Sequence, residues 1–292
     1  MKHMRKFLFV LFLTFGTVLY SLEIEAVAGA GNMVFDTDRE TSLGSKDKHF
    51  TGNTFVLGHF NLRGDFSDLI GYSVRFERDM ILRNMLSGKV ELDLVYLNLE
   101  LGPIMGTFNS HEQPVNAGIQ GGLKLLYPGI IFGSFSGSTT LGPDKGFTGD
   151  YTQSCAELNM GFWLPNIISS FSFTVKNFTI QEDDYLLIRD ELMRYRFSAD
   201  IFSKNVPYTI RVDMGYQVLT RSYSEYTDTD TDELKALFIG FEGKLHVASP
   251  VCIILGLEMP VYTWAGKPMK NPETDLVFYK FHSGVSLTFL KK

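Results

Sequence analysis

The sequence predicts an all-β fold, a transmembrane antiparallel up-and-down β-barrel of about 14 strands, with 12 as the alternative count. Three observations predict it. Apolar residues recur at every second position along most of the chain, which is strand spacing, and helical spacing is scarce. The connections between these segments alternate between short and long. Charged residues keep to one face of the segments and large apolar residues to the other.

Composition is consistent with this. The 292 residues include 25 Phe and 13 Tyr, side chains that favour strands. The two cysteines, Cys155 and Cys252, allow neither a disulfide framework nor a CxxC metal site. A net charge of -6 argues against nucleic acid as a partner.

The chain opens on a basic stretch, Lys2, Arg5 and Lys6, followed by the apolar run Phe7 to Tyr20. That is a secretory signal pattern, with cleavage expected after Ser21. Residues 1–21 are therefore expected to be a signal peptide and residues 22–292 one barrel domain. Removal of the signal takes three positive charges away and moves the net charge from -6 to -9.

The strands follow in order, beginning near Leu22 and Thr54. In the third, Ile70, Tyr72, Val74 and Phe76 alternate with Gly71, Ser73, Arg75 and Glu77. The stretch from Val90 slips phase, from Val90, Leu92 and Leu94 to Leu97, Leu99 and Leu101. We expect a β-bulge near Val95–Tyr96 to account for the slip and a turn at Gly102–Pro103 to follow it. Further strands begin near Ala117, at Ile130 (with unclear facing), and near Cys155, Phe171 and Tyr195. From Tyr208, the apolar set Tyr208 to Val218 alternates with Thr209, Arg211, Asp213, Gly215 and Gln217. From Leu237, Ile239, Phe241 and Leu245 alternate with Phe238, Gly240, Glu242, Lys244 and His246. Two strands complete the series, one from Val251 and one from Val277 to Phe289.

Short connections are expected at 64–67, 127–129, 164–166, 204–207 and 248–250. Longer polar ones are expected at 34–50, 80–88, 109–116, 141–151, 180–193, 219–234 and 261–275. Short turns at one end and long loops at the other suit a membrane barrel.

A barrel of this size is expected to hold water, with its polar face inward and its apolar face against lipid. The residues expected to line the lumen are Arg75, Glu77, Lys124, Glu157, Lys176, Arg194, Arg196, Arg211, Asp213, Glu242, Lys244, His246, Lys280 and His282. Arg63, Glu91, Asp93, Asp200 and Glu258 share that face. A Lys or Arg facing lipid at mid-depth costs about 2–4 kcal/mol, so this segregation is what a membrane barrel requires.

The final strand contains "HSGVSLTF". It resembles the C-terminal assembly signal of bacterial outer-membrane β-barrel proteins, with His282, Gly284, Leu287 and Phe289 at the signal positions. Leu290, Lys291 and Lys292 follow, so Phe289 is not terminal. The resemblance implies an outer-membrane location, contact with outer-membrane lipid, and recognition by the barrel-assembly machinery.

Catalytic patterns are weak. No His sits beside a Ser in a pattern resembling the outer-membrane phospholipase signature, and no enzyme activity is expected. His246 and His282 lie on strands separated by one strand and could approach each other in the lumen. Asp228, Asp230 and Asp232 form a candidate divalent-cation loop whose start resembles an EF-hand. Its sixth position is Glu233 where Gly is required, and its twelfth is Ile239 where Glu is expected, so a solvated acidic loop is the simpler reading. No cofactor is expected. The function expected is a monomeric, porin-like channel passing small hydrophilic solutes, with little ion selectivity because its charges nearly balance. The alternatives are a transporter of hydrophobic compounds and a surface adhesin or structural barrel without transport.

Overall fold

Strand-spaced sequence becomes strand throughout. The structure is a computed structural model, in which residues 21–31, 55–78, 84–107, 116–140, 150–183, 186–203, 206–225, 228–248, 250–265 and 279–290 are described. They form β1 (Ser21–Gly31), β2 (Phe55–Asp65), β3 (Ile70–Arg78), β4 (Asn84–Asp93), β5 (Leu97–Thr107), β6 (Asn116–Tyr127) and β7 (Ile131–Thr140). The second half comprises β8 (Asp150–Leu164), β9 (Ile167–Asp183), β10 (Leu186–Phe202), β11 (Tyr208–Glu225), β12 (Asp228–Ala248), β13 (Val251–Ala265) and β14 (Lys280–Leu290). Each strand pairs antiparallel with its sequence neighbours, and β1 pairs with β14 from Ser21↔Leu290 to Gly31↔Lys280. The result is a closed barrel of 14 strands, which removes the 12-strand alternative. Closure leaves no strand edge unpaired, as a lipid environment demands of a sheet.

The stretch around Val95 departs from expectation. Leu94 N–H donates to Leu97 O at 2.8 Å and Leu97 N–H to Leu94 O at 3.3 Å, so the chain reverses here. The phase slip is a hairpin, not a bulge. Residues three apart across a two-residue turn are cross-strand partners and share a face, which looks like a one-residue slip in the sequence. The expected turn at Gly102–Pro103 is instead the middle of β5. Pro103 is tolerated because the β4–β5 ladder is interrupted there: Ser87 pairs Ile104 and Val90 pairs Leu101, leaving Gly88 and Lys89 unpaired with β5. Gln120 Nε2 donates to Gly88 O at 3.1 Å and to Pro103 O at 3.2 Å across this gap. Gly102 suits the position because any Cβ there would collide with the Gly88 carbonyl.

Both barrel termini lie at one end, where Ser21 pairs with Leu290 and with Asp65. Connections 66–69, 94–96, 128–130 and 165–166, each of two to four residues, fall at the same end. Gly129 and Asn166 hold positive φ values of 76° and 65° in two of these turns. At the opposite end, two expected long loops are strand. β9 runs to Asp183 and β10 resumes at Leu186, inside the expected loop 180–193. β11 runs to Glu225 and β12 resumes at Asp228, inside the expected loop 219–234. A membrane-crossing strand needs about 9–11 residues, and β9 to β12 have 17, 17, 18 and 21. The surplus lets these strands keep their ladder pairing beyond the length a membrane crossing needs.

The outer face carries an apolar band. Phe76, Leu125, Phe135, Phe162, Phe197, Met214, Phe241, Leu255 and Phe281 are all more than a third exposed, on nine different strands. The facing of β7 is settled by register. Ser134, Ser136 and Ser138 pair with Lys124, Gly122 and Gln120, while Ile131 and Phe135 belong to the exposed apolar band.

Candidate functional site in the lumen

Alternation directs one face of every strand into the barrel, and the ring brings distant strands together there. A cavity of about 400 Å³ lies inside, lined by residues from β1, β2, β3 and β8 to β14. Of the residues expected in the lumen, Arg75, Glu77, Glu157, Lys176, Arg194, Arg196, Arg211, Asp213, Glu242, Lys280 and His282 line it.

Glu77 on β3 lies 3.1 Å from Lys176 on β9 and 3.0 Å from Arg75. β3 and β9 are six neighbours apart in the ring, close to the maximum of seven, so this pair crosses the lumen. The expected wide interior is bridged at this level.

A second group surrounds Glu258 on β13. Arg194 on β10 donates to its carboxylate, and Arg196 approaches at 3.5 Å. Lys280 on β14 is the register partner of Glu258. The guanidinium of Arg194 lies 4.1 Å from the ring centroid of Phe238, and that of Arg196 lies 5.9 Å from it. Sequence explains how a β12 ring reaches β10. Phe238 pairs with Gly215 on the intervening β11, and a Cβ at Gly215 would run into the Phe238 ring. The missing side chain leaves a passage for the aromatic. On its other side, Phe238 pairs with Pro260 where the β12–β13 register shifts, a bulge that admits the proline. Phe238 is 2% exposed.

A third group runs along β10, β11, β12 and β14. Arg211 grips Asp200 with two bonds of 2.6 and 2.9 Å. Glu242 is opposite Arg211 in register, 2.9 Å from the His282 ring and 3.6 Å from Lys244. Asp213 is buried beside them. His59 and Glu25 pair at 2.7 Å on β2 and β1.

The remaining expected residues lie apart from this cavity. Lys124 approaches Glu100 at 3.5 Å, and Lys89 approaches the same carboxylate at 3.0 Å. His246 and His282 do not meet. His246 pairs with Cys252, which pairs with Ser286, four residues along β14 from His282. That offset is about 13 Å. Cys155 and Cys252 are free thiols on strands five neighbours apart. No group of three metal-ligating side chains occurs among the described residues. Asp228, Asp230 and Asp232 lie on β12, where extended backbone replaces the expected wrapping loop, and their side chains lie outside the described part.

Sequence reasoning missed the apolar part of the lumen face. Phe178, Ile104, Leu192, Leu219 and Ile254 are nearly fully buried in the inward register of their strands. Phe238 was readable as a member of the inward set, but its place over Gly215 needs the three-strand register.

No protein-family model and no curated protein matches the sequence. In structure the chain is similar to an outer membrane channel from Pseudomonas putida F1, at 6% identity and a TM-score of 0.46, covering 93% of this chain and 96% of that one. It is also similar to OmpT of Vibrio cholerae, an outer-membrane protein, at 9% identity and 0.44, covering 92% and 98%. A third similar structure is an anion-selective porin from Comamonas acidovorans, at 10% identity and 0.42, covering 93% and 99%.

Proposed function

We propose that the barrel spans an outer membrane and passes small hydrophilic solutes by diffusion. The observation that carries this reading is the opposition of its two faces: an apolar band outside, and inside a cavity whose lining includes charged side chains from eight strands. Lipid stabilises the first, and only water or a polar solute suits the second. The cross-lumen pair Glu77–Lys176 makes the passage narrow, so the solutes are small. Residues 1–21 serve export, and His282, Gly284, Leu287 and Phe289 are read by the barrel-assembly machinery. The barrel works as a monomer and carries out no catalysis.

The experiment is reconstitution of the folded protein in planar bilayers. Discrete conductance steps are expected, and folded protein that inserts without conducting removes the reading.

A second reading has one observation in its favour. Strands β9 to β12 extend well beyond a membrane's thickness at the end opposite the chain termini. Such a wall suits a surface-binding barrel. Deleting the tips of these hairpins and measuring partner capture separates the two: the channel reading expects conductance to survive and the adhesin reading expects capture to fail.

A further inference from the structure

Over the whole strands the inward charges nearly balance, but around the cavity they do not. Its lining holds Arg75, Arg78, Lys176, Arg194, Arg196, Arg211 and Lys280 against Glu77, Glu157, Asp213, Glu242 and Glu258, seven cations to five carboxylates. The excess is concentrated at one point. Arg194 donates to the Glu258 carboxylate, Arg196 approaches it at 3.5 Å, and Lys280 is the cross-strand partner of Glu258.

We infer that Arg194, Arg196 and Lys280 form an oxyanion-binding station in the lumen, held in this structure by the Glu258 carboxylate, and that a small carboxylate or phosphate takes its place. The inference names the solute class for the proposed passage and rests on that reading for the anion's route in. Three features of the geometry carry it. First, the station is preorganised. Stacking over Phe238 holds the Arg194 guanidinium in place before any ligand arrives, and Phe238 is itself fixed over Gly215. A planar guanidinium held this way offers its paired donors to an oxyanion without losing further freedom. Second, the Glu258 carboxylate does not hold both neighbouring guanidinium groups closely. Arg196 is left at 3.5 Å, a long approach that a second oxygen-bearing group could shorten. Third, there is room, because all four residues border the same cavity of about 400 Å³.

Glu258 therefore acts as an internal competitor. A site occupied by its own carboxylate most of the time shows an apparent affinity lowered by the fraction of time it is open. Removing that carboxylate while keeping the side chain's shape opens the station permanently.

The test is calorimetric titration of the folded, detergent-solubilised barrel with inorganic phosphate and, separately, with succinate. Wild type, Glu258→Gln and Lys280→Gln are compared. We expect Glu258→Gln to bind at least one of the two anions about tenfold or more tightly than wild type, and Lys280→Gln to bind it several-fold more weakly. Binding of phosphate alone, or of succinate alone, tells which oxyanion the station accepts. Equal affinity in Glu258→Gln and wild type, or no binding by either, overturns the inference. Should Glu258→Gln fail to fold, Lys280→Gln and Arg196→Gln decide: weakened binding supports the station and unchanged binding overturns it. Bilayer recordings on the same preparations keep the two proposals apart. Conductance without anion binding removes the station and leaves the channel, whereas anion binding by a barrel that never conducts removes the channel and leaves the station.

Discussion

Lys176 and Glu77 meet at 3.1 Å across the barrel, although six strand-to-strand steps separate β9 from β3 around the wall. A sheet of 14 strands closed into a circle leaves a wide bore. Here side chains reaching inward from nearly opposite walls close part of it. The pair is therefore both a cross-brace and an obstruction. Lys176→Ala and Glu77→Ala are each expected to raise single-channel conductance. In denaturant unfolding, the two singles and the double should show a coupling energy of about 0.5–3 kcal/mol. Additive effects would mean that the two walls do not brace one another.

The passage of Phe238 over Gly215 predicts a specific clash. Gly215→Ala puts a methyl against the Tyr195 backbone carbonyl and into the space of the Phe238 ring, and overpacking of this kind costs about 1–3 kcal/mol. Phe238→Ala is expected to cost about 3–5 kcal/mol as a buried-aromatic truncation. The double variant should be more stable than the sum of the singles, because one of the two groups that the methyl strikes is gone, while the Tyr195 carbonyl keeps the relief partial. Unfolding midpoints of the three variants check this.

Gln120 spans the gap in the β4–β5 ladder by donating to two backbone carbonyls. Gln120→Ala leaves the Gly88 and Pro103 carbonyls without that donor, at an expected cost of about 1–3 kcal/mol. Amide exchange should quicken in β4 and β5 near Gly88 and stay unchanged in β10 and β11, which hydrogen–deuterium exchange resolved by peptide can read.

The two faces predict opposite responses to a new charge. Leu255 belongs to the outer band at 54% exposure, and Leu255→Arg is expected to cost about 2–4 kcal/mol in a bilayer if it lies near mid-depth. Thr174 lines the cavity, and Thr174→Arg should change conductance with a smaller effect on stability. Unfolding of both variants in lipid vesicles compares them directly.

Much of this architecture can be read along the chain, because alternation is a property of single strands. Ile70 to Glu77 and Tyr208 to Val218 show their two faces without any neighbour. Errors arose where one pattern has two causes. The step from Leu94 to Leu97 suits a bulge or a two-residue hairpin, and only pairing decides. The polar run at Asp228 to Asp232 suits a loop or a strand, and only its pairing with Arg221 to Glu225 shows which. The site was half legible. Facing placed Arg194, Arg196, Glu258 and Lys280 in the lumen, but which of them meet depends on ring order and register. Glu77 and Lys176 are 99 positions apart, and nothing local to either predicts their contact.

The central claim is that this barrel encloses a narrow aqueous passage, and single-channel recording of the folded wild-type protein in planar bilayers tests it most directly. The account predicts discrete conductance steps that grow in Lys176→Ala. Folded, inserted protein that carries no current in either form would contradict it.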